Sequence, residues 1–387
     1  MNFDLTDEQK AIQSLARDFA QNEVKPKAEE MDRHEAFPYD LVKKMAELGF
    51  MGLPFPEQYG GMDGDFFTLC LAIEELARVD SSVAITLEAG VSLGAMPIYR
   101  FGTQEQRRRW LPELCTGERL AAFGLTEPGG GSDIPGGMRT TARLEDGQWV
   151  VDGSKAFITN AGTAITSLVT VLAITGRDER GRKEISSIII PNGTAGFVPG
   201  QEYSKVGWCA SDTRELSFDN VRVPAANLVG QRGRGYAQFL QILDEGRVAI
   251  AALATGLAQG CVDECVRYAG QREAFGQRLE AHQAIQFAIA DMEARAHTAR
   301  LAWYDAAARL VAGVSIKKES AIAKLTASNA AMDNARAATQ VFGGYGFMNS
   351  SAVGRFYRDA KVLEIGEGTS EVQRMLIARE LGLGVAR

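Results

Sequence analysis

The reading of this chain turns on Lys361–Glu380, KVLEIGEGTSEVQRMLIARE, which sets one carboxylate, Glu367, between Gly366 and Gly368. A helix is expected directly behind it. Ser370 with Gln373 three residues on is a capping-box pattern, and Thr369 is an alternative cap. Val372, Met375 and Leu376 follow helical spacing, so one face of this helix should be buried and its start fixed. Glycine permits unusual backbone angles and close approach to a ligand. Two readings are open. Glu367 is a base beside amide N–H donors at a helix start, or the glycines merely end a helix and Glu367 is a solvated loop charge. The motif alone favours the second; the rest of the chain reverses that.

The chain has 387 residues, enough for two or three domains and a large core. Its net charge is −7 and its longest basic patch is Arg107–Arg109, so neither nucleic acid nor an anionic membrane is an expected partner. The five cysteines, Cys70, Cys115, Cys209, Cys261 and Cys265, include no Cys-x-x-Cys pair, which argues against a disulfide framework and fits a reducing compartment. His34, His282 and His297 lack metal-ligand spacing, and no metal is expected. The amphipathic N-terminus, from Phe3, has neither a signal core nor a transit-peptide composition, so a bacterial-type cytoplasmic location is expected. No membrane span is expected either, since no window approaches 18 uninterrupted apolar residues.

Residues 1–117 read as helices, with a stripe of Leu5, Ile12, Leu15, Ala16 and Phe19 capped by Thr6. Further helices are expected over Leu41–Leu48, Phe67–Val79, Ser82–Tyr99 and Gln104–Leu114, the third of these four mostly apolar and buried. Residues 118–229 read as strands rich in β-branched and aromatic residues, with Asp146-Gly147 and Asp152-Gly153 as hairpin turns. Residues 230–387 return to long helical patterns, expected as an antiparallel bundle.

Several glycine-rich ends punctuate these elements. Thr126-Glu-Pro-Gly-Gly-Gly-Ser132 suits a backbone cradle for a pyrophosphate, or a flexible turn. It lacks the Gly-Lys-Ser/Thr of a P-loop, and no Rossmann helix follows. In Lys155–Asn160, Phe157 and Thr159 point to one side, as a contact for a planar ring or as ordinary strand alternation. Asp244 and Arg247, three apart, form a surface pair or supply an anion-binding arginine. Arg272–Gly276 and Gln340–Gly346 end helices and suit close ligand approach, although plain chain termination explains each by itself. Together these features describe a ligand with phosphates and a flat ring beside one carboxylate base.

The ordered set Pro56–Gly61, Leu125–Gly129 with Ser132-Asp133, Ile158–Asn160, Arg272 with Phe275-Gly276, Gln340–Gly344 and Glu367–Thr369 resembles the acyl-CoA dehydrogenase family. The resemblance runs from Leu5 to Glu380. It implies an α+β chain with an N-terminal all-α domain, a middle β-sandwich or barrel-like domain and a C-terminal four-helix bundle, assembled as a homotetramer. It implies FAD held between subunits, with Phe123, Leu125, Thr126 and Ser132 in the flavin-binding strand and loop and Phe157 and Thr159 against the ring system. Arg272, Phe275, Gln340 and Gly344 match positions reaching the adenosine and pyrophosphate, largely from a neighbouring subunit; Thr369 and Glu371 match further flavin contacts. Ser132, Asp244 and Arg247 match the region lining the CoA thioester, with Gly366 and Gly368 beside the base.

The implied reaction is α,β-dehydrogenation of an acyl-CoA to the trans-2-enoyl-CoA in fatty-acid β-oxidation. Glu367 would take the α-proton, and electrons would pass to electron-transfer flavoprotein. Two departures matter. Phe157 replaces the usual tryptophan, and Gly366 replaces a tyrosine of many straight-chain members. Isovaleryl-type members with that glycine carry the base on the first bundle helix, where this chain has Gly246, so Glu367 stays the expected base. The Gly366 departure points to a widened pocket for short, branched or cyclic acyl groups. An acyl-CoA-oxidase-like flavoenzyme using oxygen and a catalytically silent acyl-CoA-binding protein are the alternatives.

Overall fold

The structure, a computed structural model, describes residues 4–384; Phe3 lies outside them. Thr6 and Gln9 form the capping box that starts α1 (Asp7–Phe19). A π-helical segment, Ala20–Val24, follows α1, then α2 (Ala28–His34) and α3 (Tyr39–Glu47), and Gly49 at φ 78° ends this run. The stripe expected for α1 holds at Ala16 and Phe19, whereas Leu15 is 37% exposed, because the buried face is narrow. Next come α4 (Phe66–Ala77), α5 (Ser81–Glu88), α6 (Met96–Phe101) and α7 (Gln104–Cys115). The single helix expected over Ser82–Tyr99 is interrupted by a second π-helical segment, Ala89–Ala95. There β1 (Leu120–Gly124) lies so close that a Cβ on Gly94 would stand 2.4 Å from the Ala121 carbonyl oxygen.

After a short turn of helix, α8 (Ile134–Gly137), the strands are β2 (Thr141–Glu145), β3 (Gln148–Thr159), β4 (Thr166–Arg177), β5 (Lys183–Pro191), β6 (Phe197–Glu202), β7 (Thr213–Pro224) and β8 (Leu228–Val229). The sheet order is β6-β7-β3-β2-β4-β5-β8, and β1 pairs parallel with β4. The link between β2 and β4 is the single parallel pair Thr141–Ile174. The two halves enclose a common core that includes Trp149, Val171, Ile190 and Phe218. Asp146-Gly147 is a hairpin turn as expected. Asp152-Gly153 is not: β3 runs on through it, and Gly153 at φ 143° marks a register shift against β7.

The C-terminal part holds α9 (Gly235–Ala269), a two-strand ribbon of β9 (Glu273–Ala274) and β10 (Gln277–Arg278), α10 (Gln283–Val311), α11 (Lys317–Phe342), α12 (Ala352–Leu363) and α13 (Ser370–Glu380). Helices α9, α10 and α11 pack on one another, and α12 and α13 pack on α11. The helices at the two ends of the sequence share one hydrophobic core, through α4 against α9. Buried Glu74 of α4 fits there because it accepts from Arg300 at 2.7 Å and from Trp303 at 2.9 Å. The segments Ser81–Phe101 and Gly235–Ala269 are long and apolar enough to cross a membrane, but 94% of each apolar window is buried inside the chain.

Candidate active site

Chain geometry places Glu367 before any ligand is considered. Behind α12, the Gly366 N–H donates to the Val362 carbonyl at 2.7 Å. Glu367 then takes a left-handed backbone, φ 51°, and Gly368 takes φ 93°. Thr369 caps α13 by accepting from Val372 N–H at 3.3 Å, which settles the cap on Thr369 rather than Ser370. Gln373 is occupied differently: its amide donates to the Gly368 carbonyl at 2.7 Å. Lys324 Nζ of α11 donates to the same carbonyl at 2.9 Å. The turn is therefore held from two helices, and the Glu367 N–H has no acceptor among the described residues.

As a whole residue Glu367 is half-buried, but its Oε2 is fully enclosed and has no hydrogen-bond partner among the described residues; the carboxylate end decides its chemistry. Burial raises the Glu367 pKa to about 7, against the opposing pull of the Lys324 ammonium and the Arg247 guanidinium. Lys324, fully buried, is itself lowered to about 8 by desolvation. Asp244 and Arg247 are paired on α9, but not at the surface: Arg247 is 4% exposed, and its Nε has no partner among the described residues. Sequence reasoning missed Lys324 and also Glu88, the last residue of α5, whose buried carboxyl couples to Glu367. The available signal for Glu88 was a lone carboxylate inside an apolar run.

The loop after β1 is locked by a pair that sequence reasoning also missed. Buried Glu127 accepts from Arg139 N–H at 2.6 Å, Thr140 N–H at 3.1 Å and Lys155 Nζ at 2.8 Å. Lys155 also donates to the Leu125 carbonyl at 3.2 Å. Desolvation lowers Lys155 to about 8, while Lys155 and the backbone donors hold Glu127 below the usual carboxylate range despite its own burial. Gly130 and Gly137 are needed for packing, since a Cβ on Gly137 would stand 2.4 Å from Gly130 Cα. Gly131 faces open space, Ser132 is exposed and Thr126 half-buried. Phe123 and Leu125 are buried, and the Phe123 ring stacks on Phe239 at 3.9 Å. Only the main chain of Phe123 is left to serve a ligand.

Phe157 is 67% exposed, with φ 61°, at a register shift between β3 and β7, and half-buried Thr159 follows two residues on. A bulge thus presents a mostly exposed ring, tilted against Tyr203 at 5.4 Å between centroids. Glu371 is exposed beside Arg374. Arg272, Gln340, Gly344 and Phe275, the last 97% exposed, lie apart from this cluster. Tyr268 stacks on Phe342 at 4.1 Å and so brings the far ends of α9 and α11 together. Lys324 and Phe342 are 18 residues apart on α11, about 27 Å along the helix.

Family descriptions for the acyl-CoA dehydrogenase N-terminal, middle and C-terminal domains match residues 6–118, 122–221 and 233–382. The chain belongs to the acyl-CoA dehydrogenase family. Within that family it is 46% identical to a probable acyl-CoA dehydrogenase, YngJ, of Bacillus subtilis, over 98% of this chain and all of the relative. It superposes on butyryl-CoA dehydrogenase of Megasphaera elsdenii with a TM-score of 0.95 and 40% identity, covering 98% of this chain and 100% of that one. A chain from a structure described as the electron transferring flavoprotein of Acidaminococcus fermentans gives 0.94 and 40%, covering 98% and 99%. An acyl-CoA dehydrogenase from Bacillus anthracis, solved complexed with FAD, gives 0.90 and 33%, covering 98% and 67%. Acyl-CoA dehydrogenases are flavin-dependent oxidoreductases that carry FAD. The mostly exposed Phe157 ring, the open Gly131 backbone and the half-buried Thr126 and Thr159 side chains fit a planar ring joined to a pyrophosphate.

Proposed function

We propose that this enzyme dehydrogenates a short acyl-CoA at the α and β carbons, with Glu367 as the base, and that its pocket admits branched or cyclic acyl groups. The observation that carries this reading is the enclosed Oε2 of Glu367, without a partner among the described residues, on a carboxylate whose pKa of about 7 suits a base at neutral pH. The thioester α-C–H is a weak acid until its carbonyl is polarised. The free Glu367 N–H is a donor for that oxygen. Glu367 takes the α-proton, and Lys324 and Arg247 hold it ionised beforehand. Bound FAD supplies the acceptor for the β-hydride. Phe157 and Thr159 would hold its ring system, with Leu125, Thr126, Ser132, Thr369 and Glu371 and the main chain of Phe123 around it.

Arg272, Phe275, Gln340 and Gly344, about a bundle length from Glu367, would then serve the cofactor of another copy in a homotetramer. The similarity to a chain in the Acidaminococcus structure supports electron-transfer flavoprotein as the acceptor. A cytoplasmic location belongs to the same reading. Gly366 supports the branched or cyclic preference, since a Cβ there meets only Val362 O, at 3.4 Å, and Val362 Cγ2, at 4.0 Å, leaving the rest of that side open.

Anaerobic titration of the holoenzyme with butyryl-, isobutyryl-, 2-methylbutyryl- and cyclohexanecarboxyl-CoA tests this by flavin bleaching. Bleaching by the short set with preference for branched or cyclic members is expected. A flavin that no thioester bleaches would sink the reading. Rapid oxygen consumption without a protein acceptor would favour an oxidase.

A further inference from the structure

Glu88 and Glu367 meet although they come from opposite parts of the chain. Glu88 ends α5, and the π-helical segment that follows carries Ser92 and Leu93. A Cβ on Gly246 would stand 3.2 Å from Leu93 Cδ2 and 2.5 Å from Glu367 Oε2, which fixes the π segment beside the base. π-Helical insertions are rare and concentrate at functional sites. Glu88 and Ser92 are wholly buried. With both carboxyls ionised, the two Glu88 oxygens, Ser92 Oγ and Glu367 Oε2 have no hydrogen-bond partner among the described residues. Burial and like charge act on both groups, and with one proton between them the two carboxyls lie close enough to hydrogen-bond.

An ionised carboxylate without a partner is strongly disfavoured in an enclosed site, and two side by side more so. The cations decide which of the two keeps the charge. Lys324 of α11 and Arg247 of α9, the latter paired with Asp244, act on Glu367, whereas among the described residues Glu88 faces only Glu367 and the buried, neutral thiol of Cys70 on α4. We propose that Glu88 and Glu367 hold one proton between them in the resting enzyme, with Glu88 as the positioning residue that carries it. Its burial first, and the Glu367 charge second, push Glu88 well above the usual carboxylate range.

The step then balances simply. The α-C–H bond breaks and an O–H forms on Glu367; the electron pair left on the α-carbon becomes the α,β double bond as the β-hydride departs to the acceptor that bound FAD would supply, and Glu88 keeps its own proton. The pair passes from one negative charge to none, so the thioester carbon never faces two. The catalytic consequence rests on the reading of Glu367 as the base; the protonation of Glu88 does not.

The test uses the FAD-loaded full chain. Difference infrared spectroscopy across the neutral pH range should show the carbonyl stretch of a protonated carboxylic acid on the alkaline side, lost in Glu88→Gln. In Glu367→Gln the like charge is gone, and the band should titrate at lower pH. The pH profile of flavin reduction adds a sign. Glu88→Gln, uncharged like the acid, should leave the acid limb in place whatever its height. Glu88→Leu removes the polar neighbour and should move that limb up by about one pH unit, a tenfold rate loss below it. If either variant moves the limb down, Glu88 is ionised in the wild type and the proposal fails. It fails equally if the acid band survives in Glu88→Gln. Should Glu88→Leu not fold, the band and the Glu88→Gln profile still decide. Full turnover by Glu367→Gln would overturn the base assignment alone, leaving the Glu88 band to be read independently.

Discussion

A Cβ on Gly246 would stand 2.5 Å from Glu367 Oε2. The first bundle helix and the turn before α13 therefore aim at one point in space, and the base has two backbone positions from which it can be delivered. Glu367→Gly suits the left-handed φ of 51°. It should lower flavin reduction by on the order of 10³-fold, as for loss of a general base. Adding Gly246→Glu should recover at least about tenfold, since a carboxylate then reaches the vacated point. Stopped-flow reduction with butyryl-CoA measures both; a double variant no faster than the single one would contradict the shared position.

The pH dependence follows from the same group. Glu367 works ionised, and its pKa is raised to about 7, so kcat/KM should rise as pH increases through about 7. The Lys324 ammonium opposes the upward shift of the Glu367 pKa. Lys324→Met should move the limb to higher pH and slow the enzyme most at neutral pH. A limb at the pH of an ordinary glutamate would refute the burial argument.

Lys155→Met should strip the buried Glu127 of its cation while the Arg139 and Thr140 donors remain. Breaking a buried pair in this way costs about 3–5 kcal/mol. Urea unfolding reads the loss, and FAD affinity should fall with it because residues 125–140 lose their anchor.

Gly256→Ala tests how the two helical parts share a core. The added methyl would stand 2.1 Å from the Glu74 carbonyl oxygen and 2.9 Å from Ala77 Cβ, forcing α9 off α4. A loss of about 1–3 kcal/mol in thermal or urea unfolding is expected. Unchanged stability would mean that the helices separate freely.

Gly366→Tyr addresses selectivity. The backbone there is not left-handed, and a Cβ meets nothing closer than 3.4 Å, so the variant should fold. Turnover of isobutyryl-CoA should drop by about tenfold or more relative to butyryl-CoA, the effect of filling space worth one or two methylenes. Equal losses for both substrates would remove Gly366 from the branch pocket.

What the sequence determined by itself was local. The helix–sheet–helix order, the Thr6 cap, the Asp146-Gly147 hairpin and the glycine-flanked Glu367 turn all follow from periodicity and turn chemistry within a few residues. Its errors were also local choices overridden from a distance: β3 runs through Asp152-Gly153 because β7 pairs along it, and a π-helical segment breaks the expected helix where β1 packs on Gly94. Only the tertiary structure brought Glu88, Gly246, Arg247 and Lys324, from three helices, to the carboxylate of Glu367. Desolvation and like charge depend on what encloses a group in space, and no spacing along the chain records that; the base is legible as a residue in the sequence, but its basicity is made by the fold.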